Sequence, residues 1–547
     1  MRKSFLLASA LIAVLAALAV ATDREGVLAA HAKNAGPVSH SASQTGRDPG
    51  PDFNRDGFAD LAVGVPYEDV SGAEDAGAVQ VIYGSSDGLN GDRPIDDQFW
   101  TENGFELSTI VSERKDHFGY ALAAGDFNGD GFDDLAIGVP NQDVVVSGRS
   151  VLNAGAVYVL RGSSSGLRTG GGLLTQHSRV IPGPAEPGDH FGSSLTAGNF
   201  GRGPWDDLAI GVPDEDIRTV ENRGAVNVIY GFRTGLTAHR GQVLLDLLPH
   251  TGERFGFSLE AADFGRTREE ELVVGTPFDR ALAPDREGAG AVYVAYGAPT
   301  GLSVSAGNQL FDQDGRGIPG GMAEPDDHFG WALAAADFGR DKHADLAVGV
   351  PGDGPGATGS VVIIYSLSYG LRRYRAQRWS QGSAGIVGTR ERNDQFGYAL
   401  AAADFGKGAR ADLAIGVPLD RGLVGGVNLL FGSSKGLSAI GNGFVWQDGS
   451  SFQGDVEGDS ESTDEFGRAL TAANFGKGPV ADLAIGVPGE SKEGFFQRTK
   501  LAVGAVNVLY GDGYGLRWSD DQFWWQASDS LHDSAEVFDQ FGSVLAH

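Results

Sequence analysis

The sequence predicts an all-β, seven-bladed propeller over residues 51–547, and three observations predict it. A phrase of the form DLAVGVP occurs seven times, at Asp60–Pro66, Asp134–Pro140, Asp207–Pro213, Glu271–Pro277, Asp345–Pro351, Asp412–Pro418 and Asp482–Pro488. A second phrase follows each copy, from Gly77–Gly84 (GAVQVIYG) to Gly504–Gly511 (GAVNVLYG), and its alternation of Val, Ile and Tyr with small or polar residues is strand grammar. A third phrase precedes all copies but the first: FGYALAAGDF begins at Phe118, with relatives at Phe191, Phe255, Phe329, Phe396 and Phe466. It returns alone at the C-terminus as Phe541-Gly542-Ser543-Val544-Leu545. One unit lacks its first strand and an orphan strand stands at the other end. A ring resolves both, with residues 541–545 completing the first blade, and closure removes the exposed edges of an open array.

Each element follows from that frame. The steps between copies are 74, 73, 64, 74, 67 and 70 residues, about one four-stranded blade each. The repeat overrides the three or four domains that 547 residues would otherwise suggest. The Ala-rich stretches such as LAAADF are too short and too closely flanked by Gly to be helices. Turns of the form G-x-x-x-G-L, as at Gly84–Leu89 and Gly432–Leu437, close the hairpin between third and fourth strands.

Ahead of the repeats, Met1-Arg2-Lys3-Ser4 leads into an apolar run from Phe5 to Ala21 that ends in Ala19-Val20-Ala21. That is the grammar of a secretory signal peptide, expected over 1–21. Residues 22–50 lack a period and read as a flexible spacer. No further apolar run of membrane-spanning length follows, so no transmembrane segment is expected after signal removal.

The net charge is -30, with 72 acidic against 42 basic residues. Such a chain repels phosphate backbones and anionic lipid, so no nucleic-acid partner is expected, while cations and basic partners are favoured. With 0 Cys, disulfides, thiolate metal sites and a Cys nucleophile are excluded.

The loop between the third phrase and the DLAVGVP phrase carries the clearest chemistry. In the first copy Asp52, Asn54, Asp56 and Asp60 occupy positions 1, 3, 5 and 9, with Gly57 at the sharp wrap and the Phe58 carbonyl at 7. In the second, Asp126, Asn128, Asp130 and Asp134 do so, with Gly131 and the Phe132 carbonyl. Ca²⁺ takes six to eight hard oxygens in a flexible cage, and this spacing supplies them. Two Ca²⁺ sites are therefore expected. A third, weaker candidate is Asp337, Asp341 and Asp345, where Gly339 replaces the oxygen at position 3. The loops 199–207, 263–271, 404–412 and 474–482 have lost most of the pattern. In such loops the terminal acid is expected to accept backbone N–H groups without a metal.

These residues resemble the FG-GAP repeat of the N-terminal β-propeller of integrin α subunits. Similar repeats occur in bacterial secreted and surface proteins and in the glycosylphosphatidylinositol-specific phospholipase D. The resemblance covers residues 51–547 and implies Ca²⁺ cages on one propeller face. It departs in placing the intact cages in the first two blades, and it brings neither an integrin stalk nor the phospholipase's catalytic domain.

Strand alternation puts the cages and hairpin turns on one face, and the long, irregular connections on the other. Those include 141–153, 214–223, 278–289 and 489–503, and a ligand is expected there. Trp100, Trp379, Trp446, Trp518, Trp524 and Trp525 offer a glycan platform on one reading and outer-strand packing on the other, and packing is favoured. Gly162–Gly166 matches G-x-S-x-G around Ser164, but in a hairpin turn rather than strand–turn–helix. His117, His190 and His328 share a repeat position also filled by Arg254, Gln395, Glu465 and Gln540, which reads as packing or hydrogen bonding rather than metal or catalysis. The acids just ahead of it (Asp116, Asp189, Asp327, Asp394, Asp464, Asp539) are expected to satisfy turn backbone. No catalytic constellation emerges. The expected protein is a secreted or cell-surface, calcium-binding, monomeric interaction (adhesion) module for an extracellular protein or cell-envelope glycan. The alternative is a secreted hydrolase or lyase with its site on the long-loop face.

Overall fold

The computed structural model describes residues 50–546, excepting 92–94, 96, 106–111, 179–180, 247–249, 281–285, 304–307, 321, 451–455, 494–498, 501, 519, 529–530 and 532–534. The expected signal peptide and all but the last residue of the spacer lie outside the described residues. So do parts of the connections at 278–289 and 489–503.

Seven antiparallel sheets of four strands, one with a short fifth, account for the repeats. Blade 2 shows the pattern: inner strand Ala121–Gly125, second Asp134–Val139, third Ala156–Arg161 and outer Arg168–Leu174. The second strands read DLAIGV or close to it and are buried along their whole length, as over Asp207–Val212. Both faces of each sheet are covered by neighbouring blades, which is why these strands are apolar runs instead of alternating ones. Helix among the described residues is confined to single turns such as Glu102–Gly104 and Asp420–Leu423.

The ring closes as the displaced phrase predicts. Blade 1 takes Leu61–Val65, Ala78–Ile82 and Gln98–Trp100 from its own repeat and Val544–Ala546 from the C-terminus. The register pairs Ala62 with Ala546, Val63 with Leu545 and Gly64 with Val544. The closing strand thus begins three residues after Phe541, which instead bridges Gly504 of blade 7. The inner strand Val544–Ala546 then lies between the inner strands Ala121–Gly125 of blade 2 and Leu470–Ala473 of blade 7.

Two repeated contacts join blade to blade. The Gly that opens each third strand bridges the FG Phe of the next blade, from Gly77 with Phe118 round to Gly504 with Phe541. All seven of these Phe rings, from Phe118 to Phe541, are 0% exposed. Each such ring contributes about 1.5–3 kcal/mol of apolar burial. On the cage face, the residue before each second strand's acid donates its N–H to the carbonyl at position 1 of the preceding loop. These bonds run from Asp133 to Asp52 (3.4 Å) through Glu270 to Asn199 (2.9 Å) to Ala59 with Asn474 (2.8 Å), which spans the closure.

Candidate functional sites on the two faces

On the cage face, three successive side-chain-to-backbone turns shape the first loop. Gly57 N–H donates to Asp52 Oδ2 (2.8 Å), Asp56 N–H to Asn54 Oδ1 (2.8 Å) and Phe58 N–H to Asp56 Oδ1 (3.0 Å). The second loop repeats the wrap, with Gly131 N–H on Asp126 Oδ2 (2.9 Å) and Phe132 N–H on Asp130 Oδ1 (3.0 Å). Burial, then the nearby Asp56 charge, raises the Asp52 carboxyl above its ordinary value. Asp60 is driven up further, by burial and by the charges of Asp52 and Asp56. In the second loop burial pushes Asp134 up to about 6, with Asp130 and Asp126 adding to the rise. The donor set therefore fits a hard cation: four oxygen side chains wrapped by one backbone, whose negative charges oppose one another in its absence.

The terminal acids have a second role. Asp60 accepts N–H groups of Phe53 (2.8 Å) and Gly84 (3.0 Å), so it ties the loop to the start of the hairpin turn. Asp207, Asp412 and Asp482 make the same pair of bonds in loops that have lost most of the cage pattern, so the terminal acid accepts backbone N–H groups there as expected. The weaker candidate differs from the two cages. Arg410, from the next blade, forms an ion pair with Asp337 and also donates to the Asp341 carbonyl, so a positive charge is already in place there.

On the long-loop face, the residues after the FG glycines head the inner strands around the central axis. Phe257, Trp331 and Tyr398 pack in series, with ring centroids 4.9 and 5.5 Å apart. Of the three histidines, His328 joins this series. His117 lies edge-on to Tyr67 at 5.2 Å, and His328 meets Trp331 at 5.6 Å. His190 Nδ1 lies 2.8 Å from Asp214 Oδ2, and Arg254 Nε lies 2.8 Å from Asp214 Oδ1. All seven residues at the repeat position, His117 to Gln540, have positive φ between 54° and 60°. The position is thus set by backbone shape, and its side chains pack or pair. Ser193 Oγ is committed to the His190 carbonyl (2.7 Å), and Ser164 lies in the hairpin turn of blade 2. The tryptophans pack: Trp518 and Trp524 are buried, and Trp100, Trp379, Trp446 and Trp525 lie half-buried on core clusters.

The acids ahead of the histidine position do satisfy turn backbone. Glu113 N–H donates to Asp116 Oδ2 (2.7 Å) and Glu186 N–H to Asp189 Oδ2 (2.6 Å), with the same bond at Asp327, Asp394, Asp464 and Asp539. Sequence reasoning missed their partners. Two residues beyond the proline that ends the repeated phrase stands a second buried acid in every copy but the second, which has Gln142; examples are Glu68, Glu215, Asp420 and Glu490. A glutamine from the preceding blade's outer strand reaches it: Gln526 to Glu68 (2.5 Å), Gln176 to Glu215 (2.5 Å), Gln381 to Asp420 (2.7 Å) and Gln447 to Glu490 (2.7 Å). The signal was available, since a buried-type residue followed closely by Gln ends these outer strands (Trp379-Ser380-Gln381, Trp524-Trp525-Gln526).

One of these junctions opens into a pocket. Between blades 2 and 3 a cavity of about 270 Å³ is lined by Pro182, Pro184, Ile217, Val243 and Leu245 on its apolar side and by Glu186, Glu215 and Asp216, with Arg218 beside them, on its charged side. At its base Gln176 Oε1 and Asn227 Oδ1 are buried acceptors without a donor. Burial raises Glu215 to about 7, partly offset by the Gln176 amide and reinforced by Glu186 and Asp216.

The comparisons agree with this architecture. The FG-GAP repeat profile matches residues 48–82, 118–160 and 329–364. Phosphatidylinositol-glycan-specific phospholipase D of Bos taurus is 29% identical over 35% of this chain and 22% of its own length. Integrin alpha-8 of Mus musculus is 28% identical over 41% of this chain and 18% of its own length. The match therefore spans about a fifth of the length of these curated relatives. Among solved structures, rhamnogalacturonan lyase YesW overlays 75% of this chain and 78% of its own at 11% identity and a TM-score of 0.32, too low to bear on function. The chain carries FG-GAP repeats and folds as an integrin-like β-propeller. No helix among the described residues is long and apolar enough to cross a membrane.

Proposed function

We propose that this protein is an extracellular interaction module that docks a partner protein on its long-loop face, with a basic side chain of the partner seated between blades 2 and 3. The pocket carries the reading. Its volume of about 270 Å³ accommodates an arginine or lysine side chain with room for water. The prolines, Ile217, Val243 and Leu245 suit the aliphatic stem, and the charged head would meet the Glu215 carboxylate together with Gln176 Oε1 and Asn227 Oδ1, the last two of which lack donors. The net charge of -30 favours basic partners at long range. A glycan platform is less well supported, because the tryptophans that would build it are packed into the blades.

Selection of random peptides on the purified protein tests this. The enriched peptides should share one Arg or Lys, bind about tenfold more weakly to Glu215→Gln, and weaken as pH falls below about 7, where Glu215 gains a proton. Enriched peptides that lack a basic residue, or that bind Glu215→Gln equally well, would overturn the reading.

The cages are proposed as structural Ca²⁺ sites that order the opposite face. Asp52, Asn54, Asp56, Asp60 and the Phe58 carbonyl would hold one ion, and Asp126, Asn128, Asp130, Asp134 and the Phe132 carbonyl the other. Secretion is proposed on the same footing, because extracellular Ca²⁺ near 10⁻³ M is what cages of this weak class need. Asp130→Ala should lose part of the calcium-dependent rise in Tm. A wild-type melt that does not change across a calcium titration would remove both sites.

A further inference from the structure

We propose that Glu461, Asp464 and Glu490, beside the Gln447 amide, form a divalent-cation site at the junction of blades 6 and 7, on the face opposite the aspartate cages. A ligand oxygen from each of the three carboxylates lies within 4.8 Å of the other two. Asp464, Glu490 and Gln447 are all 0% exposed, so water cannot serve their polar atoms freely.

The donors run out before the acceptors do. Asp464 Oδ2 takes the Glu461 N–H (2.5 Å), and Gln447 Nε2 donates to Glu490 Oε2 (2.7 Å), which sets the amide against the carboxylates. Glu461 Oε2, Asp464 Oδ1 and Gln447 Oε1 are left buried without a hydrogen-bond donor. Lys492 Nζ lies 3.0 Å from Glu490 Oε1 and offsets part of the cluster's negative charge. An unmatched buried acceptor is destabilising, and a buried charge without a partner more so. A divalent ion answers both deficits at once. The set is all oxygen, with no imidazole or thiolate, which selects a hard ion such as Ca²⁺ or Mn²⁺ over zinc.

Neighbouring junctions show what distinguishes this one. Between blades 3 and 4 the first carboxylate is replaced by His250, and Arg223 Nε lies 3.7 Å from Glu253 Oε1, so a cation is supplied by the protein. Between blades 5 and 6 Glu391, Asp394 and Asp420 repeat the spacing, but no carboxylate oxygen of Asp394 or Asp420 is left buried without a donor.

The test separates this site from the cages. Mn²⁺ or Ca²⁺ is titrated calorimetrically into chelator-stripped full-length protein carrying Asp56→Ala and Asp130→Ala. One site should remain, and Glu490→Gln or Glu461→Gln should weaken it about tenfold or more. Glu461 is only partly buried, so Glu461→Gln serves if Glu490→Gln does not melt cooperatively. No binding by the cage-disabled protein up to about 10 mM ion would overturn the proposal and leave shared protons as what quiets the cluster. Unchanged affinity in Glu461→Gln would overturn it equally.

Discussion

Single side chains hold together segments far apart in sequence. Tyr510 Oη accepts the Leu89 N–H at 2.9 Å, so the third strand of blade 7 caps the hairpin turn of blade 1. Tyr83, Tyr230 and Tyr365 do the same for Leu167, Leu302 and Leu437. Tyr510→Phe keeps the ring and removes the hydroxyl, which also donates to Gln522 Oε1, leaving the buried Leu89 N–H unmatched. It should cost about 1–3 kcal/mol in urea unfolding. No change in the unfolding midpoint would show that the bond is not needed for closure. At this scale the sequence is legible where a residue acts on its own loop. Asp60 announces itself as a loop terminus, and its bond to Phe53 N–H spans only seven residues. The Tyr510 hydroxyl does not announce itself, because its partner lies 421 residues away and is a backbone atom any residue could supply.

Elements are legible because two repeated phrases meet in space. The third strand of one blade opens at a Gly against the FG of the next, and nothing larger fits. Gly397 has φ 91°, and a Cβ there would stand 2.6 Å from the Ser360 carbonyl oxygen. Gly148, in an exposed hairpin, has φ 79° with nothing within 4 Å of its Cβ. Gly148→Ala should cost only the left-handed backbone term, about 1–2 kcal/mol. Gly397→Ala should cost that plus a clash with main chain, and is expected to fold poorly or melt well below Gly148→Ala. Equal melting of the two would mean that the blade junction can give way. The strands, the turns and the closure were readable in this way, since each depends on local pattern. The pocket between blades 2 and 3 was not. Gln176 and Glu215 are 39 residues apart and come from different blades, and neither stands in a phrase that identifies it.

For the whole molecule, the ring concentrates carboxyl groups in its junctions. Burial raises Asp189, Asp207, Asp464 and Asp482 each to about 8, from an ordinary value of 3.8. Glu253 and Glu271 also rise to about 8, from 4.5. The folded state therefore holds protons that the unfolded chain releases above pH 4 to 5. Stability from these groups is fully present below the unfolded values and is lost as pH rises toward 8. The exposed acids act in the same direction, because a net charge of -30 at pH 7 repels itself more as the last carboxylates ionise. In chelator, Tm should fall by several degrees between pH 5.5 and pH 8.5. Millimolar Ca²⁺ should narrow that fall, since an ion in the cages or between Glu461, Asp464 and Glu490 replaces protons that are lost. The cage double variant Asp56→Ala and Asp130→Ala then divides the effect. Any calcium protection it keeps at pH 8.5 belongs to the junction of blades 6 and 7, and any it loses belongs to the cages. A Tm that rises with pH in chelator would show that the buried carboxylates are ionised and compensated within the fold, and the acidic junctions would then need no cation at all.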